Sequence, residues 1–211
     1  MAKKNKSNTS PPKFIRLLRE CSSLALLGVS LYLVLIFYGY DRADPGWSST
    51  SGASPIQNQG GHVGAWLADV LLYLFGISAW LWVLFFISLV SLGYRSINTV
   101  RIFDRRPLLV SVAGFIAFLA SSSGLEALQL YPPNIYLPYK PGGMLGNIIA
   151  ENLPQALGLT GSTLALLTLL AIGFSLFTGL SWLRLVEKIG SIIENFFVGL
   201  KNHWQNRKDR R

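Results

Sequence analysis

The chain has 211 residues, 51% hydrophobic and only 14% charged, with a mean hydropathy of +0.40 and a net charge of +9. A water-soluble domain carries about 25% charged residues, so an ordinary soluble domain is excluded. Cys21 is the lone cysteine, which excludes an internal disulfide or a cysteine-built metal cluster.

Residues 1–12, "MAKKNKSNTSPP", are polar, basic and closed by prolines, and predict a disordered arm. "KFIRLLRE" then sets Phe14, Ile15, Leu17 and Leu18 among Lys13, Arg16 and Arg19, a short surface helix that leads into the membrane. Residues 21–40 contain no Asp, Glu, Lys or Arg. A helix crossing a hydrocarbon core of roughly 30 Å needs about 20 apolar residues, so this run predicts a first span. It is longer than a signal-peptide apolar core, and no small-residue cleavage site follows it.

The outer segment 41–68 follows. Asp44-Pro45-Gly46 is a turn former: Asp suits the first position, Pro presets φ and Gly tolerates positive φ. Trp47 and Trp66 suit an outer membrane interface. Gly60, Gly61 and Gly64 allow a tight backbone path. Asp69 is placed in the first turn of the second span, near 69–93, where a carboxylate meets the positive end of the helix dipole. Asp44, Pro45, Trp47, Ser48, Gly60, Gly61, Gly64, Trp66 and Asp69 are the candidate partner-contact or loop-forming residues. His62 is read as exposed or capping.

A third span is predicted near 107–126. Ala113, Ala117 and Ser121 lie at four-residue spacing on one of its faces. Glu126 marks its outer end, with Ser121, Ser122 and Ser123 just below. The outer segment 127–160 contains "YPPNIYLPYKP", whose prolines favour extended backbone, and "MLGNIIAENLPQALGL", which suits an interface. A fourth span near 161–183 carries Ala171, Ser175 and Gly179 on one face, with Gly161 and Ala165 as a further small pair. Small faces let helix backbones approach closely in lipid, within one bundle or between copies. "WLRLVEKIGSIIENFFVGLKNHW" repeats apolar residues at three- and four-residue intervals, an amphipathic cytoplasmic helix within a basic tail of residues 184–211.

Charge sets the orientation. Of the 19 Lys+Arg residues, six precede the first span, four separate spans two and three, and seven follow the fourth; only Arg42 and Lys140 lie in the outer segments. Positive loops stay inside, so both termini are placed in the cytoplasm. The basic balance is therefore a topology signal with some attraction to anionic lipid. No Lys, Arg, Asp, Glu or His falls in the interior of these four predicted spans, which weighs against the rival reading, a small four-span transporter or channel. That rival has only serines, threonines and glycine backbone to offer as a polar path. No catalytic set and no G-x-x-x-x-G-K-[ST] motif is visible. The chain is expected to be no enzyme and to need no cofactor.

"DPGWSS", "PIQNQGGHVGAWLADVLLYLFG", "GGMLGNII" and "GLTGSTLALLTLLAIGFSLFTGLSWL" together resemble the four-helix membrane domain of FtsK-type bacterial division proteins over about residues 15–190. Asp44, Pro45, Trp47 and Ser48, the run Gly64–Asp69 and the run Phe177–Leu183 carry the resemblance. It implies an all-α inner-membrane anchor of a septal DNA translocase that works with other divisome membrane proteins. In that family a long linker and a hexameric ATPase follow the membrane domain. The resemblance therefore implies a homo-oligomer, a hexamer through the motor, and nucleic-acid contact only through that motor. The sequence stops at Arg211 without motor motifs, and is expected to be an N-terminal portion or a member lacking its motor.

Overall fold

A computed structural model describes residues 13–49, 55–95, 105–129, 137–180, 187 and 190–191. The arm 1–12, the basic loop 96–104, the first half of the Pro/Tyr segment (130–136) and nearly all of the predicted amphipathic tail lie outside them. Every regular element among the described residues is helical, with no strand: α1 Lys13–Tyr38, α2 Gly61–Phe75, a 3-10 segment Gly76–Trp80, α3 Leu81–Arg95, α4 Arg105–Gln129 and α5 Gly143–Thr178. Four stretches are long and apolar enough to cross a membrane: Glu20–Tyr38, Gly61–Ser91, Leu108–Gln129 and Gly143–Thr178.

Two of those stretches are too long for one straight crossing. At 31 and 36 residues they would extend about 46 and 54 Å, against a hydrocarbon core of roughly 30 Å. Both are broken. Gly76, with φ 62° and ψ −139°, ends α2 and starts the 3-10 segment. Gly158, with φ 68° and ψ 169°, breaks α5 shortly after Pro154, whose missing N–H already removes one helical bond. Each long stretch is therefore an elbow helix followed by a returning span. The four span-capable stretches each reach past the predicted span at one end, and together take in the carboxylates Glu20, Asp69, Glu126 and Glu151. For Asp69 and Glu151 the helix breaks allow this, because the elbow portions need not cross the apolar core; Glu126 lies in the last turn of the unbroken α4.

α2 opens at Gly61, so Asp69 sits two turns inside the helix rather than in its first turn. The elbow packs on the end of α1: Leu33, Ile36 and Phe37 form one buried cluster with Ala68, Leu72, Ala79 and Val83. α3 runs back beside α1, tied by the Ser30 hydroxyl, which donates to the Val83 carbonyl at 3.3 Å. A second core joins α3, α4 and the returning part of α5, with Phe115, Leu119 and Phe177 buried against Trp82 and Phe85. The Phe85 and Phe115 ring centroids lie 4.4 Å apart.

α4 and α5 approach backbone to backbone at Gly114 and Gly173. A Cβ on Gly114 would stand 2.5 Å from the Phe177 nitrogen, and one on Gly173 2.6 Å from the Phe118 nitrogen. Of the small residues singled out for packing, Ser121 is buried, Ala117, Ala171 and Ser175 are half-buried, and Ala113 and Gly179 are exposed. Gly179 caps α5 with φ 68° and donates to the Ser175 carbonyl.

Candidate partner-contact surface

The loop between α1 and α2 is built on two buried carboxylates. Asp44, 5% exposed, accepts the Gln57 and Asn58 N–H groups, both at 2.8 Å, one on each oxygen. Its carbonyl accepts the Ser49 hydroxyl at 2.9 Å, and the Gly46 N–H donates to the Ser49 carbonyl at 3.1 Å. The hydrogen-bonded turn falls earlier than the residue types predict, at Arg42 and Ala43, where the Asp44 N–H donates to the Asp41 carbonyl at 3.2 Å; Pro45 and Gly46 form no turn, and Gly46 does not take a positive φ. Asn58, placed by Asp44, donates its side-chain amide to the Ile36 carbonyl at 2.9 Å. That bond satisfies one of the carbonyls left over at the end of α1. The Asn58 side-chain oxygen accepts the Gly60 N–H at 2.8 Å, which sets the entry to α2.

Asp69 is the second anchor. Its carboxylate accepts the Tyr40 hydroxyl at 3.0 Å, the Ser48 N–H at 2.6 Å and the Ser48 hydroxyl at 2.8 Å. Burial, and then the adjacent Asp69 charge, hold the Tyr40 phenol above its ordinary pKa, so it stays a proton donor. Gly46 leaves room for this clasp, since a Cβ there would meet Asp69 Oδ2 at 2.6 Å. Gly60 and Gly64 let α2 lie on α1, where a Cβ would stand 2.4 and 2.8 Å from Ile36 Cγ2. Gly61 takes φ 64° and is exposed.

The clasp leaves particular side chains outward: His62, Val63, Trp66 and Trp47 are exposed. Trp47 is 56% exposed, yet its ring meets Tyr73 edge-on with centroids 5.0 Å apart. Tyr73 in turn meets Tyr139 at 5.1 Å, linking the first loop to the segment before α5. Asp44, Ser48 and Asp69 are thus drawn into one network with Gly46 and the two elbow glycines, while Trp47 and Trp66 sit on its surface. Sequence reading misses Tyr40, Asn58 and Tyr73, whose partners lie tens of positions away.

A second polar cluster lies where α2 breaks. The Glu126 carboxylate accepts from the Ser78 hydroxyl, from the Ser78 N–H at 3.3 Å and from the Gly142 N–H at 3.1 Å. The Ser78 and Ser122 hydroxyls bond each other at 2.8 Å. The Ser123 hydroxyl donates to the Phe75 carbonyl, and the Ser121 hydroxyl turns back to Ala117 and Phe118 in its own helix. Glu126 supplies an acceptor for an N–H that the helix break frees. All three serines are thus engaged with protein groups. No cluster of three metal-ligating side chains occurs among the described residues. Both carboxylate centres are spent on backbone and hydroxyl groups, an arrangement that shapes a surface.

Residues 15–190 match the family described as the 4TM region of DNA translocase FtsK/SpoIIIE. Among curated proteins, the chain is 42% identical over 205 residues to DNA translocase FtsK 2 of Ralstonia nicotianae, covering 95% of this chain and 26% of that relative. It is 34% identical over 173 residues to DNA translocase FtsK of Shewanella oneidensis, covering 82% of this chain and 19% of the relative. A similar protein of Vibrio vulnificus is 33% identical over 175 residues. The chain thus spans about a quarter or less of the curated relatives it matches, and the matched part is the membrane region rather than the motor. No solved structure matches the chain.

Proposed function

The chain belongs to the family of the 4TM region of the FtsK/SpoIIIE DNA translocases, and from that membership we propose that it is the inner-membrane anchor of a septal DNA translocase. It is a multi-pass membrane protein and carries no enzymatic part of the translocase. In this reading both termini are cytoplasmic, the basic tail forms an amphipathic helix leading to the motor, and other divisome membrane proteins meet the outer loops. Copies assemble in the membrane, lipid covers the spans, and DNA is handled only by the motor. The anchor would thereby couple division to chromosome segregation.

The observation that carries the proposal is the loop Asp44–Asp69, held by two buried carboxylates while Trp47 and Trp66 stay exposed. A plain linker needs no such network, because a flexible connection satisfies its backbone with water. The test is the position of the chain, tagged at its C-terminus, in dividing cells. A midcell band without the motor supports a septal address in these residues. Uniform envelope labelling of an inserted protein sinks it.

A further inference from the structure

The two span pairs carry one device twice. Gly60, Gly61, Gly64, Ala68, Asp69 and Gly76 recur at identical spacing as Gly142, Gly143, Gly146, Ala150, Glu151 and Gly158. The backbone repeats with them, except at the first pair, where Gly60 takes φ −81° and Gly142 φ 79°. Gly61 and Gly143 both take φ 64°, and Gly76 and Gly158 take 62° and 68°. The Gly61 N–H donates to the Asn58 carbonyl and the Gly143 N–H to the Lys140 carbonyl, both at 2.9 Å, and Lys140 stands where Asn58 stands in the first copy of the pattern. Gly64 bonds Gly60 as Gly146 bonds Gly142. Each unit is therefore a span, a loop, a glycine-opened elbow helix, a glycine break and a returning span.

Within the chain the units meet head to tail. The break of the first rests on the elbow of the second: a Cβ on Gly76 would lie 2.5 Å from the Gly142 nitrogen, and one on Gly143 2.5 Å from the Leu74 carbonyl. The corresponding halves of that contact, Gly61 in the first elbow and Gly158 at the second break, are exposed and have nothing within 4 Å among the described residues. A closed two-fold between the units would bring Gly158 onto Gly61. It does not, so the contact is heterologous and unclosed inside one chain.

We propose that a second copy of this chain completes it: the elbow of one copy, Gly61, His62 and Val63, seats on the break of the next, Leu157, Gly158 and Leu159. The side chains suit each other, since Val63 is 70%, Leu157 52% and Leu159 59% exposed. The contact reuses one already present between the halves, with its glycines in the same left-handed backbone. Such a contact generates a ring where the rotation closes and a row where it does not. The inference deepens the proposed assembly of anchors and rests on the anchor reading only in placing both elbows at one membrane face.

The test replaces Cys21 by Ser and introduces His62→Cys and Leu157→Cys, separately and together, in the full chain in membranes under mild oxidation. The double variant is expected to give a ladder of disulfide-linked dimers, trimers and larger products. The two single variants, carrying different tags and expressed together, should give a mixed dimer, and neither alone should give any. Monomer only, from an inserted protein with both thiols reactive, overturns the proposal and leaves lipid as the cover of these residues. Dimers from either single variant alone also overturn it, in favour of a symmetric contact. Protease access to the termini and midcell position, read in the same cells, test the anchor reading separately from the ladder.

Discussion

Asp69 and Glu151 occupy the same register in the two elbow helices, yet they live differently. Asp69 is 2% exposed and accepts from Tyr40 and twice from Ser48. Glu151 is exposed and accepts the Asn147 side-chain amide from the preceding turn of its own helix. The breaks differ in the same sense: Gly76 is buried under the second elbow, and Gly158 is open. Chain length explains part of this. The loop between α1 and α2 is longer than the one between α4 and α5, so the first has more backbone with which to fold back over its elbow. One pattern of glycines thus yields a locked elbow and a bare one, and the neighbours decide which.

The sharpest way to break the comparison is to add one carbon to matching glycines. Gly76→Ala places a Cβ 2.5 Å from the Gly142 nitrogen, at a left-handed φ of 62°. Strain of about 1–2 kcal/mol from the backbone and about 1–3 kcal/mol from overpacking should add, giving a loss of about 3 kcal/mol. For a domain of this size that lowers the thermal midpoint by roughly 2–4 °C per kcal/mol, read by unfolding in detergent. Gly158→Ala meets open space and should lose only the backbone part, about 1–2 kcal/mol. Equal losses at the two sites would refute the packing account of the first.

The acids come next. Asp69→Ala leaves the Ser48 N–H and the Tyr40 hydroxyl without their acceptor, and should cost about 2 kcal/mol and expose the loop to protease. Glu151→Ala removes an exposed contact and should stay within about 0.5 kcal/mol. Asp44→Ala should resemble Asp69→Ala, since it frees the Gln57 and Asn58 N–H groups and with them the Asn58 bond to α1. A loop that remains protease-resistant in both variants would mean that neither carboxylate holds it.

The four crossings are legible in the sequence because apolar length alone demands them. Where the second helix begins is not. The uncharged run starts after Asp69, but the helix starts at Gly61, because Gly60 and Gly61 give the chain a turn tight enough to launch it against α1. Asp44, Ser48 and Asp69 stand out as residue types. Their pairing does not, because Tyr40 and Ser48 reach Asp69 across 29 and 21 positions. Glu126 is visible at the end of its span, while its partner Ser78 lies 48 positions earlier, inside a run with no sign of a break except Gly76. The duplicated glycines are written plainly in the sequence, and comparing the chain with itself would expose them. The close approach of α4 and α5 falls at Gly114 and Gly173, beside the small-residue stripes, since glycine alone admits backbone contact there.

The smallest expected change in stability bears most directly on function. Trp47 is the largest exposed side chain on the clasped loop among the described residues. Its edge-on contact with Tyr73 contributes about 0.5–1.5 kcal/mol, so Trp47→Ala should lower the thermal midpoint by only a few degrees and leave insertion intact. Trp47→Phe keeps an aromatic edge for Tyr73 while removing the indole N–H and part of the exposed surface. If the loop meets a septal partner, Trp47→Ala should lose midcell enrichment well beyond what its stability loss explains, with Trp47→Phe between it and the parent. If both variants reach midcell as the parent does, the two clasps serve only to hold one elbow of a duplicated fold. The partner surface would then have to be sought on the bare second elbow.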